Sequence, residues 1–364
     1  MRVADFTSSL YLGMRHAGAE LATLLPESSA LTSGRPAVLD PPAGAGAARR
    51  LALRAGAEQA AFTRSTLHGL NDCLEVLLGK DTALAVDSGV YPVGRWAVQR
   101  AAGTGTPVAW VGHHDVAGLE SGLRRFTGRG LRPVVVADGL CTGCGRAYPV
   151  AEVVAFLDRY RATLLLDDTQ ALGILGVKSG QPYGSGGGGS VAHAGVSHSS
   201  VLAVSSLAKA FGAPVACVAG PARIVGKLRT AGSAVHSSPP SQVDIAAATH
   251  AVDRNAADGD RLRTALAHRV RMLRRVTARQ DLTLVGGLFP VQSTPVIAVG
   301  AGRWLLDRLA ANGVRGVLRQ TCRGGSAVTL VVTAVHSFAD VERAAGLLAG
   351  CWQELLDKGV RRVA

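Results

Sequence analysis

From about residue 46 to 225 the chain alternates short apolar runs with amphipathic stretches, and this rhythm leaves few folds open. The apolar runs fall at 59–63, 82–86, 107–111, 132–136, 162–167, 200–204 and 215–219, with helical patterns at 67–78, 92–102, 115–125 and 150–160 between them. Strands separated by helices cannot pair as hairpins; they line up in parallel and put helices on both faces of the sheet. A mostly parallel seven-stranded α/β sheet is therefore expected. After 225 the pattern changes to helices at 222–231, 241–256 and 259–279, strands near 295–299, 315–319 and 327–333, and helices at 302–312 and 338–350. The organisation expected is an irregular N-terminal arm (1–45), a large α/β domain (46–225) and a smaller C-terminal α+β domain (226–364).

Two residues at strand ends carry chemistry. The sequence holds five lysines against 34 arginines, so a lysine in an apolar, small-residue setting is not there for charge alone. Lys209 is such a residue, in Ser205-Ser206-Leu207-Ala208-Lys209-Ala210-Phe211-Gly212 just after the sixth run. Unlike arginine, lysine can lose its proton and form a Schiff base with a carbonyl. Upstream, Leu164-Leu165-Leu166-Asp167 delivers a carboxylate at a strand's C-terminal end, where α/β sheets place ligands. Together they suit pyridoxal 5'-phosphate, with the lysine holding the aldehyde and the acid keeping the pyridine nitrogen protonated.

Those motifs resemble the α-oxoamine synthase group of fold-type I, class I/II aminotransferase-fold enzymes, which includes 8-amino-7-oxononanoate synthase. The resemblance runs from about residue 55 onward and is strongest over 131–240. It implies that Asp167 pairs with the pyridine nitrogen, that Lys209 is the Schiff-base lysine, and that Gln170 replaces a histidine bonded to the cofactor's phenolic oxygen. Ser206 then reaches the phosphate, and Thr142 stands where a serine faces the cofactor. The helix opening Ser65-Thr66-Leu67-His68 falls where the family seats the phosphate. Tyr91 takes the place of a histidine that stacks on the ring. His236-Ser237-Ser238-Pro239-Pro240 resembles a stretch that reaches the phosphate of a neighbouring subunit, which implies a homodimer with shared active sites. One departure stands out: the family's carboxylate-clamping arginine is absent, since the matching strand reads Ser326-Ala327-Val328-Thr329, with Arg323 on the preceding loop as the available substitute.

The function so implied is condensation of an amino acid or amine with an acyl thioester, on coenzyme A or a carrier protein, through a Lys209 aldimine and a quinonoid. Aminotransferase or other aldimine chemistry is the alternative, and a degenerate binding protein is a third reading. The net charge of +13 is spread along helical segments such as 261–279, and aromatics make up only 4%, so a nucleic-acid surface is not expected. No apolar run is long enough for a membrane span, Asp5 interrupts any leader-like start, and six scattered cysteines suggest a reducing, cytoplasmic setting. Cys141-x-x-Cys144 has a zinc-like spacing, but Cys73, Cys217, Cys322 and Cys351 offer no second motif, so no metal is expected. In His113-His114-Asp115 the aspartate reads as a helix cap, and Tyr183-Gly184-Ser185-Gly186-Gly187-Gly188-Gly189-Ser190 reads as a flexible loop.

Overall fold

The structure is a computed structural model that describes residues 3–25, 30, 34, 37–39, 42–196, 199–322 and 324–359. Its strands, in chain order, are β1 (Ala4–Asp5), β2 (Gln59–Thr63), β3 (Thr82–Asp87), β4 (Val108–Val111), β5 (Arg132–Asp138), β6 (Thr163–Asp167), β7 (Val201–Ser206), β8 (Ala216–Gly220), β9 (Val291–Ser293), β10 (Val314–Arg315), β11 (Val317–Gln320) and β12 (Ser326–Val331). Packing divides the chain into two units, one of Met14–Leu140 with Ala147–Gly259 and one of Met1–Gly13, Cys141–Arg146 and Asp260–Ala364.

The larger unit holds the expected seven-stranded sheet, in the order β2-β8-β7-β6-β5-β3-β4. Strands β4, β3, β5, β6 and β7 run parallel, while β8 is antiparallel to both β7 and β2. The period of two along each strand divides the core. Leu84, Val86, Val134, Val136, Leu165 and Leu202 pack one face with Leu70, Leu74 and Val98. Ala83, Ala85, Val135, Ala137, Leu164 and Leu166 pack the other with Leu123, Val153 and Phe156. Both faces are thus apolar and covered by helices, as a parallel sheet requires.

The glycine-rich stretch 183–190 is not the flexible loop expected from its composition. Backbone hydrogen bonds from Gly176 to Tyr183, Gly173 to Gly187 and Gly189 to Leu175, with a reciprocal pair between Val177 and Ser185, stitch it to the chain that follows β6.

The smaller unit contains the sheet β11-β12-β9, antiparallel throughout, and the parallel pair β1-β10. Helix Phe338–Asp357 begins at Ser337, whose side chain accepts from Asp340 N–H, and it buries Val341, Ala345, Leu348, Trp352 and Leu355 on one face. The expected strand at 295–299 lies earlier, at β9. Pro295 lacks the N–H a ladder needs, and Ile297 makes only an isolated bridge to Ser326. The helices expected at 241–256 and 259–279 form one helix, Gln242–Ala278. A single interior glycine such as Gly259 costs about 1 kcal/mol and does not break a helix of this length. The unit boundary therefore falls inside this helix, at 259/260, instead of at 225/226.

Candidate active site

The parallel strands β5, β6 and β7 stand side by side, and their C-terminal ends carry Asp138, Asp167 and Ser206. Asp138 and Asp167 are register partners. Lys209 follows three residues after β7, on the turn that reverses the chain into β8. Hydrogen bonds from Leu207 N–H to the Val215 carbonyl (2.8 Å) and from Ala213 N–H to the Leu207 carbonyl (3.1 Å) close that turn. It packs against the chain after β6 at Gly173, where a Cβ would lie 2.6 Å from the Ala210 Cβ. Glycine at 173, with φ +83°, is what lets the lysine turn approach the acid's strand.

The electrostatics of these strand ends are unusual. Asp167 is buried, and burial pushes its carboxyl above the ordinary range, although Thr169 N–H (3.0 Å to Oδ1) and the charge of Lys209 pull it back. Burial also lowers Lys209, against the opposing pull of Asp167. An acid and an amine thus meet in a setting that penalises the charge of each. Asp138 is more extreme: burial first, and Asp167 beside it second, push it well above the ordinary value. Its Oδ2 accepts from Tyr91 N–H at 3.0 Å, while its Oδ1 has no hydrogen-bond partner among the described residues.

The other expected residues fall around this core or away from it. Gln170 is half-buried in the turn after β6. Ser206 accepts from Ala208 N–H (3.2 Å), and its own N–H donates to Thr169 Oγ1 (3.0 Å). Tyr91 precedes helix Pro92–Gly103 and is 51% exposed. Ser65 caps helix Thr66–Leu77, accepting from His68 N–H, and its hydroxyl also pairs with His68 Nδ1 at 2.8 Å. Thr66 and Leu67 are the first two residues of that helix. His68, Ser237 and Ser238 line a separate cavity of about 460 Å³ with Phe62 and Arg64, which neither Lys209 nor Asp167 borders. Ser237 donates to the Ser233 carbonyl (2.6 Å), and the Ser238 carbonyl accepts from Arg64 (3.3 Å). Thr142 belongs to the smaller unit, and Arg323 lies outside the described residues. Ala327 is buried in β12, register-paired with Arg319, whose guanidinium donates to the Thr142 carbonyl at 2.9 Å.

Two site residues escaped the sequence reading. Thr169 ties the β6 turn to the end of β7. Asp138 ends an apolar run just as Asp167 does, so the strand-end rule that singles out one would have singled out both. His113-His114-Asp115 resolves differently for each member. Asp115 caps helix Val116–Gly128 by accepting from Gly118 N–H (2.9 Å), and His113 bonds Asp87 at 2.7 Å.

Residues 29–320 match the family described as aminotransferase class I and II. The chain belongs to this family. Among curated relatives, it is 34% identical over 239 residues to the 8-amino-7-oxononanoate synthase of Nitrosococcus oceani, covering 64% of this chain and 60% of that protein. It is 29% identical over 248 residues to the enzyme of the same name from Stutzerimonas stutzeri, covering 66% and 59%. The matched part thus spans about 60% of the length of these relatives. The fold is shared with Sphingomonas wittichii serine palmitoyltransferase (TM-score 0.83, 18% identity, 99% of this chain and 89% of that one). It is shared also with Francisella tularensis 8-amino-7-oxononanoate synthase (TM-score 0.77, 16% identity, 98% and 99%).

Proteins of this family use pyridoxal 5'-phosphate, and the groups present fit it. Two neighbouring carboxyls, with the Asp138 Oδ1 out of solvent and unpartnered among the described residues, call for a cationic or N–H-bearing group, which a protonated pyridine provides. The amine that burial holds toward its neutral form stands ready for an aldehyde.

Proposed function

We propose that this protein is a pyridoxal-phosphate-dependent transferase of the α-oxoamine synthase kind, joining an amino acid or amine to an acyl thioester with release of the thiol. The observation that carries this reading is the meeting of buried Asp167 with Lys209, whose pKa burial lowers, at the ends of adjacent parallel strands. The similarity to 8-amino-7-oxononanoate synthases supports the acyl thioester as the second substrate.

When bound, the cofactor supplies an aldehyde for amines and a protonated ring that takes up the electrons of a breaking Cα bond. The chain does the rest. Asp167 holds the proton at the ring nitrogen, its burial making that contact strong. Lys209 would hold the aldehyde and, at Nζ, would move a proton to or from the substrate Cα. Gln170 donates to the phenolic oxygen, and the Tyr91 ring covers one face of the pyridine. The N–H groups of Thr66 and Leu67 at the helix start, with the Ser206 hydroxyl, seat the phosphate. Ser237 and Ser238 of a second copy complete that seat, so the working form is a homodimer, placed in the cytoplasm. The absence of an arginine at 327 points to a carboxylate held differently, or to an amine substrate without one.

The test is a visible spectrum of the purified protein, borohydride reduction with peptide mapping, and an assay of thiol release. A yellow protein labelled at Lys209, which releases thiol from an acyl thioester only when an amine is present, is the expected result. Keto-acid formation without any acyl donor would transfer the reading to transamination. A colourless protein that takes no label with added cofactor would overturn the enzyme reading.

A further inference from the structure

The smaller unit brings together three thiols that are far apart in the chain. Cys141 and Cys144 lie on the loop Cys141–Arg146, and Cys322 lies on the turn between β11 and β12. Their sulfur atoms all lie within 4.8 Å of one another. A tetrahedral zinc with Zn–S bonds of about 2.3 Å sets its sulfurs about 3.8 Å apart, so a small contraction closes this triangle on a metal.

Both turns are built to present sulfur. In the loop, Gly145 N–H bonds the Cys141 carbonyl (2.8 Å) and Cys141 N–H bonds the Arg146 carbonyl (3.0 Å), which folds Cys-x-x-Cys into a tight turn. Thr321 N–H to the Gly325 carbonyl and Gly324 N–H to the Thr321 carbonyl, both 3.1 Å, fix the other. Gly143 is what admits Cys322: a Cβ there would lie 2.6 Å from the Cys322 nitrogen and 2.9 Å from its sulfur. Arg319 donates to the Thr142 carbonyl (2.9 Å), clasping the two turns together. Cys141 is buried, Cys144 and Cys322 half-buried, and none of the three is in a disulfide.

We propose that Cys141, Cys144 and Cys322 bind a zinc ion. Three soft thiolates in a tetrahedral arrangement select zinc among the common divalent cations. Binding replaces three S–H bonds by three Zn–S bonds and releases the protons to solvent, with no change of oxidation state. A fourth donor completes the tetrahedron. The metal staples the Cys141–Arg146 loop to the β11–β12 turn, adding to the Arg319–Thr142 hydrogen bond.

The test uses the full chain, without an affinity tag that binds metal, expressed in zinc-supplemented medium and purified without chelator. Elemental analysis should find one zinc per chain. Cys144→Ser and Cys322→Ser should each bring that below about a tenth, while Cys351→Ala, outside the cluster, keeps it. Cobalt in place of zinc should show the sulfur-to-metal charge-transfer band of a tetrahedral thiolate site, and zinc should slow alkylation of Cys144 and Cys322. Should either serine variant fail to fold, the cobalt spectrum and the alkylation pattern of the natural chain decide alone. Zinc-free protein whose thiols alkylate at the same rate with and without zinc would overturn the proposal. So would a Cys141–Cys144 disulfide in place of metal, or full zinc retained in both serine variants.

Discussion

Asp87 and Asp138 end neighbouring parallel strands, β3 and β5, the first buried and the second half-buried with its Oδ1 out of solvent, yet their carboxyls move in opposite directions. Burial pushes Asp87 up, but three donors outweigh it: His113 Nδ1 and Gly89 N–H at Oδ1 (2.7 Å each) and His114 N–H at Oδ2 (2.8 Å) hold it below the ordinary value. Among the described residues Asp138 has the Tyr91 N–H alone, and Asp167 stands beside it. The place at a strand end is common to the two; the supply of donors is not. A strand-end acid that the fold satisfies serves the fold. One that the fold leaves short of donors stores a demand for positive charge, which a ligand can meet.

The sharpest way to break this contrast is to remove the demand next to Lys209. Asp167→Asn keeps the shape and loses the charge that holds a ring proton, so turnover should fall by roughly 10³-fold. Lys209→Ala should lose at least as much and abolish borohydride labelling. An Asp167→Asn enzyme within about tenfold of the natural rate would remove Asp167 from the chemistry.

Asp168 tests the same physics through pH. It accepts from Ser190 N–H (2.9 Å), but burial dominates and pushes it to about 7. The folded state therefore holds a proton that the unfolded state has lost between about pH 4 and 7, so stability from this group declines as pH rises through that window. The loss is complete above about 7 and on the order of 4 kcal/mol. Urea denaturation of the cofactor-free protein at pH 5 and pH 8 should show the decline, and Asp168→Asn should flatten it. An unchanged slope in the variant would assign the pH dependence elsewhere.

Asp87→Asn and Asp138→Asn sharpen the comparison directly, because they should shift stability in opposite senses. At 87 the amide strands at least one buried donor, costing about 3 kcal/mol. At 138 it keeps an acceptor for Tyr91 N–H and removes a carboxyl that burial and Asp167 make hard to ionise, a gain of about 1 kcal/mol in the cofactor-free protein at a pH where that carboxyl is charged. Urea midpoints at constant m-value read both. The same sign at both positions would mean that donor supply does not distinguish these acids.

How far such sites are legible in sequence follows from how they are assembled. The sheet was readable because a two-sided parallel strand must be an apolar run, and Asp167 because it closes one. Lys209 stood out through the scarcity of lysine. Asp138 carries the same strand-end signature as Asp167, and only the fold shows that its Oδ1 is left without a donor among the described residues. The thiol triangle is different in kind. Cys322 has no local partner pattern, and only the pairing of β11 with β12 and the missing side chain at Gly143 bring it to Cys141 and Cys144. Likewise the unbroken helix Gln242–Ala278 could not be read from Gly259, since the penalty for one glycine is small against the packing of a helix that long.

An acid outside the sheet gives the comparison its lower bound. Asp115 meets a backbone donor too, Gly118 N–H at 2.9 Å, but it does so at an exposed helix start where water competes for the same group. Its side chain satisfies one of the free N–H groups of helix Val116–Gly128 and lies at the positive end of that helix. Asp115→Ala should therefore cost about 1 kcal/mol, well below Asp87→Asn, while Asp115→Ser should restore most of it by supplying another capping oxygen. The readout is again the urea midpoint. A loss at 115 equal to that at 87 would show that neither the number of donors nor their removal from water separates these acids.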